Sequence, residues 1–382
     1  MICSRCVYDS KIPYINFDKD GKCNYCHQHD NLEKEYPKDF NILLNISDKI
    51  KKDMKNKPYD VVVGVSGGCD SSYMLYLTKI LLGLRPLAVH CDNGFNTDIA
   101  NENMRMMCKQ LDIDLSVQKV SREVTAAALR AGMLASIPEI DNISDIGLAS
   151  SHYIACERYG IKYIFEGRNF RTEGIVPPGW IYIDQKYIDN VQKEFGEMYI
   201  NGYDLPTMYL GQQLKWMLWN RIKKIRPLYY INYNKEAIKE FLSNNYGWKW
   251  YGGHHMENKT SYFANNYYLP KKFGIDIRQA EYAALVRDGQ MNREDAIDKL
   301  AQPAWEKLEA DSILMREILE AVNFTGDQFY DIMRLPLKSY RDFETYKKTF
   351  ERMNLLFWVM YKMSLIPKSF YLKYASKEEN IR

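Results

Sequence analysis

Four cysteines near the start of the chain stand at the spacing of a metal site. Cys3 and Cys6 form one C-x2-C pair and Cys23 and Cys26 another, with 16 residues between the pairs. Two thiolates from each tight turn can converge on one tetrahedral Zn(II). A closed four-thiolate shell leaves no open position for catalysis, so the expected role is structural. The alternatives are a disulfide pair, which a reducing compartment disfavours, or four unconnected thiols. His27 and His29 could substitute as ligands and are otherwise read as surface histidines.

A second chemistry is written in VVVGVSGGCDSSYML, residues 61–75. A strand is expected to end at Val65 and a helix to begin near Asp70. Between them, adjacent Gly67 and Gly68 let backbone N–H groups turn toward an anion, and the helix adds its positive N-terminal end. Hydroxyls at Ser66, Ser71 and Ser72 are further donors. The G-x4-G-K-[ST] pattern is absent, and with it the lysine that grips β- and γ-phosphates. The loop therefore suits a pyrophosphate leaving group better than a transferred γ-phosphoryl. A third candidate is FEGRNFRTEG, residues 165–174, after another apolar run. Here Glu173 could complete a Mg(II) shell with Asp70, while Arg168 and Arg171 could neutralise phosphate or an anionic substrate. Read alone, this segment is equally a solvated polar loop.

The elements that must position these residues follow a βα grammar. Short apolar runs at Val61 to Val65, Leu87 to Cys91, Ile113 to Val117 and Tyr163 to Phe165 alternate with helical stretches at Ser71 to Leu82, Asp98 to Leu111 and Ile146 to Tyr159. The pattern predicts an α/β fold with a doubly wound parallel sheet. Four units are expected: a zinc ribbon over residues 1–35, a linker helix over 36–57, an ATP-binding α/β domain over 58–230, and a mainly helical region over 231–382. In the last, Asn292 and Asp295 are placed to cap a helix. No fixed-period repeat is present. With 382 residues, 46% hydrophobic and 26% charged, the chain has ordinary globular composition, which excludes a disordered protein. The 52 basic against 49 acidic residues exclude a strongly basic nucleic-acid coat. The apolar run Leu355 to Tyr361 is far short of the roughly 20 residues a membrane span needs. MICSRCVYDS carries no export signature, so the protein is expected in the cytosol. The chain has 15 Phe, 7 Trp and 30 Tyr, which can serve as sugar-stacking platforms but are more often core.

SGGCDSS resembles the SGGxDS loop of the PP-loop ATPases, which split ATP into AMP and pyrophosphate. The resemblance implies a flavodoxin-like strand order, with ATP across the carboxyl ends of the strands. It implies that Asp70 faces the phosphates and their Mg(II), and that the second strand, ending His90-Cys91-Asp92-Asn93-Gly94, borders the adenosine. Asp92 and Gly167 are taken with the loop as nucleotide-binding residues. Cys69 fills the variable position and is read as packing.

Within that superfamily, GRNFRTEG together with the cysteine head, Gly252-Gly253-His254-His255-Met256-Glu257, YLPKKFGID (268–276) and QMNRED (290–295) resembles the N-acetyl sugar amidotransferases. The likeness runs to about residue 300. These enzymes, associated with pseudaminic-acid-type sugars, flagellin glycosylation and lipopolysaccharide sugars, convert an acetamido group to an acetamidino group. The implied reaction adenylates the amide oxygen and lets ammonia expel AMP. Lys271 and Lys272 are candidates for the charge that stabilises attack on the α-phosphate, although alone they read as an exposed pair. No glutaminase nucleophile occurs, so the resemblance implies a separate glutaminase partner. A PP-loop tRNA thiolase is the rival enzyme, because some of these join zinc ribbons to SGGxDS and share Arg226-Pro227-Leu228. Against it, Cys69, Cys91, Cys108 and Cys156 form no CxxC, and no basic excess awaits RNA. A non-enzymatic scaffold would make the phosphate loop an accident.

Overall fold

The computed structural model describes residues 1–375 apart from 199, 201–203, 254–255, 311, 364 and 367–369. Two helices, α1 (Asn24–Glu35) and α2 (Phe40–Asp53), precede the sheet. Asp39 caps α2 by accepting from the Asn41 N–H, and Leu43 and Ile50 of its inner face enter the core beneath the sheet.

The sheet follows as β1 (Val61–Gly64), α3 (Cys69–Tyr76), β2 (Pro86–Asp92), α4 (Asp98–Gln110), β3 (Asp114–Lys119), α5 (Arg122–Leu134), α6 (Asn142–Tyr159), β4 (Tyr163–Phe165), α7 (Gln185–Phe195), α8 (Leu210–Leu214) and β5 (Lys223–Ile225). Val61, Val62 and Val63 are fully buried. An unbroken β-branched run of this kind suits a strand covered on both faces, as parallel sheets require. Every pairing is parallel: Val62 lies opposite Leu87 on one side and Ile164 on the other. The helix expected from Ser71 to Leu82 is α3 continued by a π-turn over Leu77–Leu81, where the Thr78 hydroxyl bonds back to the Met74 carbonyl at 2.6 Å.

The strand order is β3-β2-β1-β4-β5. This corrects the flavodoxin-like expectation, in which β3 would lie beside β1. The reason is in the side chains: β3 is Asp-Leu-Ser-Val-Gln-Lys and partly or fully exposed along its length, which suits an edge, whereas Tyr163, Ile164 and Phe165 of β4 are buried and take the interior place next to β1. The order therefore reverses between β1 and β4, and the crevice outside their carboxyl ends is where an open α/β sheet receives its ligand.

After Pro227 the chain is helical: α9 (Lys235–Tyr246), α10 (Lys259–Phe263) widening into a π-helical stretch to Phe273, α11 (Arg278–Arg287), α12 (Arg293–Ala301), α13 (Glu306–Ala310), α14 (Ser312–Ala321), α15 (Gly326–Arg334), α16 (Lys347–Arg352) and α17 (Asn354–Lys362). Asn292 caps α12, accepting from the Glu294 and Asp295 amides. Three satellite cores attach this region. Phe263, Tyr268, Leu308 and Ile318 pack with α5, and Ala280, Ala283 and Ala296 pack with the cysteine head. Phe350, Phe357, Phe370 and Tyr374 pack with Tyr182 and Tyr187. No helix among the described residues is long and apolar enough to cross a membrane.

Candidate functional site

The loop between β1 and α3 is shaped by its neighbours. Gly67 has φ +81°, and a Cβ there would stand 2.1 Å from the Ala100 carbonyl oxygen, so both backbone conformation and space demand glycine. The Gly67 carbonyl is held by the Trp248 indole N–H at 3.0 Å and the Asn103 amide at 3.3 Å. Gly68 is the N-cap of α3, where the orphan N–H groups of a helix point at an anion. The Ser71 hydroxyl donates to the Gly68 carbonyl at 3.1 Å, the Ser66 amide donates to Ser71 Oγ at 3.2 Å, and the Gly68 amide donates to Ser66 Oγ at 3.3 Å. Ser72 differs from expectation: it is buried within α3 and does not line the cavity beside the loop.

Asp70, in the first turn of α3, joins a network that the sequence did not announce. The Tyr233 hydroxyl donates to the Asp70 carboxylate and lies 3.6 Å from Cys69 Sγ. Burial pushes the Cys69 thiol up to about 12, so it sits there as a neutral packing group. Lys235, at the start of α9, is buried with its ammonium 3.2 Å from Glu281 of α11. Burial opposes its charge, but Asp70, Glu281 and Glu173 more than offset it and raise its pKa. Gln290 braces the arrangement, accepting from the Lys235 amide at 3.1 Å and donating to the Tyr233 carbonyl at 2.9 Å. Glu173 and Asp70 thus both act on the charge of one lysine. Carboxylate oxygens are the donors Mg(II) prefers, and it is held by one or two of them with substrate phosphates completing the shell. Asp70 and Glu173 supply donors of that kind, and among the described residues only the four cysteines cluster tightly enough to form a closed protein cage.

Across the loop, the turn after β4 lines a cavity of about 400 Å³ that also touches Ser66 and Ser71. Gly167 lies within 3.7 Å of the Ser71 amide nitrogen, measured from where its Cβ would stand. Glu166 accepts from Lys224 at 2.7 Å and Arg226 at 3.2 Å. Its burial favours protonation, yet Lys224, Arg226 and Arg168 hold it well below the usual carboxylate range. His152 of α6 is buried on the same cavity, its ring against Gly64. Burial, then Lys224, lowers its pKa to about 4, so it is neutral at physiological pH.

Three expected roles are corrected by position. Arg171 is fully buried and cannot reach a phosphate: it clamps Glu33 of α1 at 2.5 and 2.8 Å and the carbonyls of Tyr36 and Tyr229 at 2.8 and 2.7 Å. Lys271 pairs with Glu309 and lies over Tyr267. Lys272 donates to the Ile332 and Leu335 carbonyls at 2.6 and 3.1 Å, closing the end of α15. Neither lysine lines the cavity. Asp92 stands at the carboxyl end of β2, where its side chain accepts from the Gly94 amide at 3.0 Å. His254 and His255 lie outside the described residues. Tyr251 and Glu257, from the same segment, approach Gly68, their side-chain oxygens 3.1 and 3.7 Å from where its Cβ would stand.

The head residues Cys3, Cys6, Cys23 and Cys26 are all buried, unpaired as disulfides, and bring their sulfurs within 4.8 Å of one another. Three of the separations are 3.8, 3.8 and 3.6 Å. A tetrahedron with Zn–S bonds of about 2.3 Å has edges of about 3.8 Å, so the four thiols fit zinc without rearrangement. Arg287 of α11 donates to Cys26 Sγ at 3.3 Å and Cys6 Sγ at 3.2 Å, and Arg293 donates to the Cys3 and Cys6 carbonyls at 2.9 and 3.2 Å. The head is therefore bolted to the helical region by charge as well as by packing. His27 is exposed and pairs with Asp18 at 2.8 Å. His29 is buried against Phe170, not on the surface as expected, and burial lowers its pKa to about 4.

Two family models match the chain. NAD synthase matches residues 42–142, which contain the phosphate loop and the first three strands. The sheet and the phosphate loop are thus those of an NAD-synthase-like PP-loop domain. The second match, LPS biosynthesis protein WbpG-like, C-terminal domain, covers residues 257–357. Together the two matches, each over about a quarter of the chain, support a WbpG-like PP-loop protein. No curated protein matches. Among solved structures, an NH3-dependent NAD synthetase from Campylobacter jejuni is similar at 20% identity and TM-score 0.26, the match spanning 33% of this chain and 55% of that one. An NMN synthetase from Francisella tularensis is similar at 16% identity and TM-score 0.28, over 61% of this chain and 92% of that one. A predicted subunit of tRNA methyltransferase from Methanocaldococcus jannaschii is similar at 13% identity and TM-score 0.29, over 57% and 90%.

Proposed function

We propose that this chain is an ATP-dependent, AMP-forming amidotransferase that turns the acetamido group of an N-acetyl sugar into an acetamidino group. The observation that carries the reading is the conjunction, at the β1/β4 switch point, of a phosphate loop without a P-loop lysine and a cavity large enough for a second substrate, in a chain whose other matched region is WbpG-like.

Amide resonance makes the acetamido carbon a poor electrophile for ammonia. Attack of the amide oxygen on the α-phosphate, with the bond to the β-phosphate breaking and pyrophosphate leaving, converts that oxygen into part of a good leaving group. Ammonia then adds to the carbon, the C–O bond breaks, AMP departs and a proton is lost to leave the amidine. In this scheme the Gly67-Gly68 turn and the start of α3 hold the departing pyrophosphate, with Ser66 and Ser71 at its edge. Asp70 and Glu173 would hold Mg(II), which neutralises charge on the phosphates. Lys235, in place of Lys271 and Lys272, supplies the protein's cation at the loop. Positioning and fixed charge account for most of the rate in such transfers.

Ammonia is read as coming from a separate glutaminase. Incubating the purified chain with Mg-ATP, ammonium and a panel of acetamido sugars, free and CMP- or UDP-linked, tests the reading. AMP, pyrophosphate and a sugar lighter by about one mass unit are expected, whereas ADP and orthophosphate would exclude it.

A further inference from the structure

We propose that the turn carrying Phe370 and Tyr374 forms the acceptor-binding wall of the active site, with these two side chains as specificity-determining residues. This inference rests on the amidotransferase reading and names the side chains that would receive the sugar.

The cavity beside the phosphate loop has two unlike faces. One comes from the sheet and is charged: Glu166 and Arg168 follow β4, and Lys224 and Arg226 come from β5 and the residue after it. Much of the remaining lining is apolar and includes Phe370 and Tyr374, which come from the last described turns of the chain. That pairing of a flat aromatic face with a charged rim suits a pyranose ring bearing an anionic substituent, because the ring's C–H face packs on an aromatic side chain while the charge is met at the rim. Lys224 and Arg226 are hydrogen-bonded to Glu166, whereas Arg168 lines the cavity and is exposed, which makes it the group that meets the anion.

The position argues for the acceptor over the nucleotide base. The cavity is built on the β4–β5 side and on α6, and Asp92 at the end of β2, where the adenosine is expected, does not line it. The wall is also held as a platform. Tyr374 packs against Phe350 at 5.2 Å, Phe370 at 5.0 Å and, edge-on, Tyr182 at 6.2 Å, and the Asn354 side chain donates to the Ala375 carbonyl at 2.5 Å. Those anchors lie in α16, α17 and the segment before α7, so the C-terminal helices serve to present this turn to the sheet.

The test uses the full chain with Tyr374→Ala, Tyr374→Phe and Phe370→Ala. Apparent KM for the best acetamido sugar and for ATP are measured separately by AMP release, after circular dichroism confirms folding. Tyr374→Ala should raise acceptor KM by about tenfold with ATP KM unchanged, and Tyr374→Phe, which keeps the ring, should restore it. If Tyr374→Ala fails to fold, Tyr374→Leu and Phe370→Ala give the same readout. A rise in ATP KM alone would assign the wall to the nucleotide, and unchanged acceptor KM in every folded variant would remove the wall's role while leaving the amidotransferase reading standing. Absence of AMP formation by the wild-type chain with every sugar would instead overturn that reading, and this inference with it.

Discussion

Replacing Lys235 by Met removes one ammonium and keeps the length and apolar stem of the side chain. In the folded chain that ammonium lies 3.2 Å from Glu281, itself only 9% exposed, and its charge is shared with Asp70 and Glu173. Without it, Glu281 loses its buried partner, and Asp70 and Glu173 lose the cation that offsets their charge. Breaking a buried pair by deleting one partner costs about 3–5 kcal/mol, because the remaining charge is left uncompensated. At roughly 2–4 °C per kcal/mol for a domain of this size, the midpoint of thermal unfolding should fall by about 10 °C. Between pH 6 and 9 the wild-type lysine is charged whether folded or unfolded, since folding raises its pKa further, so the wild-type network holds through that range. AMP formation should drop by about 10²–10³-fold, and Lys235→Arg should recover part of it. Thermal melts at pH 8 and a turnover assay check these outcomes. A variant as stable as wild type at pH 8, or one with undiminished AMP release, would refute the placement of Lys235 at the centre of the site.

Gly67→Ala should abolish ATP binding, since its Cβ would meet the Ala100 carbonyl, whereas Gly326→Ala, with nothing within 4 Å, should bind normally; equilibrium binding distinguishes them. Metal analysis of reduced protein should find one zinc per chain, and Arg287→Met should release it faster to a chelator than wild type while Arg293→Met, whose contacts with the cysteines are to carbonyls and not to sulfur, has a smaller effect. His152 is held neutral with its pKa lowered to about 4, so it contributes stability above its ordinary pKa that is lost as pH falls from about 6.5 to 4. Melts of His152→Asn over that range should therefore decline less steeply than wild type, with His29, shifted the same way, accounting for part of what remains.

Local signals in the sequence identified the cysteine site, the phosphate loop and four of the five strands, because each depends on neighbours within a few residues. Gly67 and Gly68 betray a turn wherever they occur before a helix, and Val61 to Val63 betray a buried strand. What escaped depends on partners far along the chain. Lys235 becomes a buried cation only because α11 brings Glu281 and Gln290 to it. Arg171 looked like a phosphate ligand but is taken by Glu33 and two carbonyls of distant segments. Lys271 and Lys272 likewise found Glu309 and the end of α15. β5, three residues with two lysines, has too little apolar character to stand out, yet it supplies Lys224 to the cavity. The flavodoxin-like order that the resemblance implies does not hold, because polar β3 suits an edge and buried β4 an interior place.

The central claim is tested most directly by supplying ammonia in two forms to the purified chain with Mg-ATP and an acetamido sugar. With ammonium chloride the account predicts AMP, pyrophosphate and the acetamidino sugar, at a rate that rises with pH because neutral NH3 is the nucleophile. With glutamine alone it predicts no product until a glutaminase is added. Efficient use of glutamine by the isolated chain, or transfer of sulfur to tRNA with no change in any sugar, would contradict it.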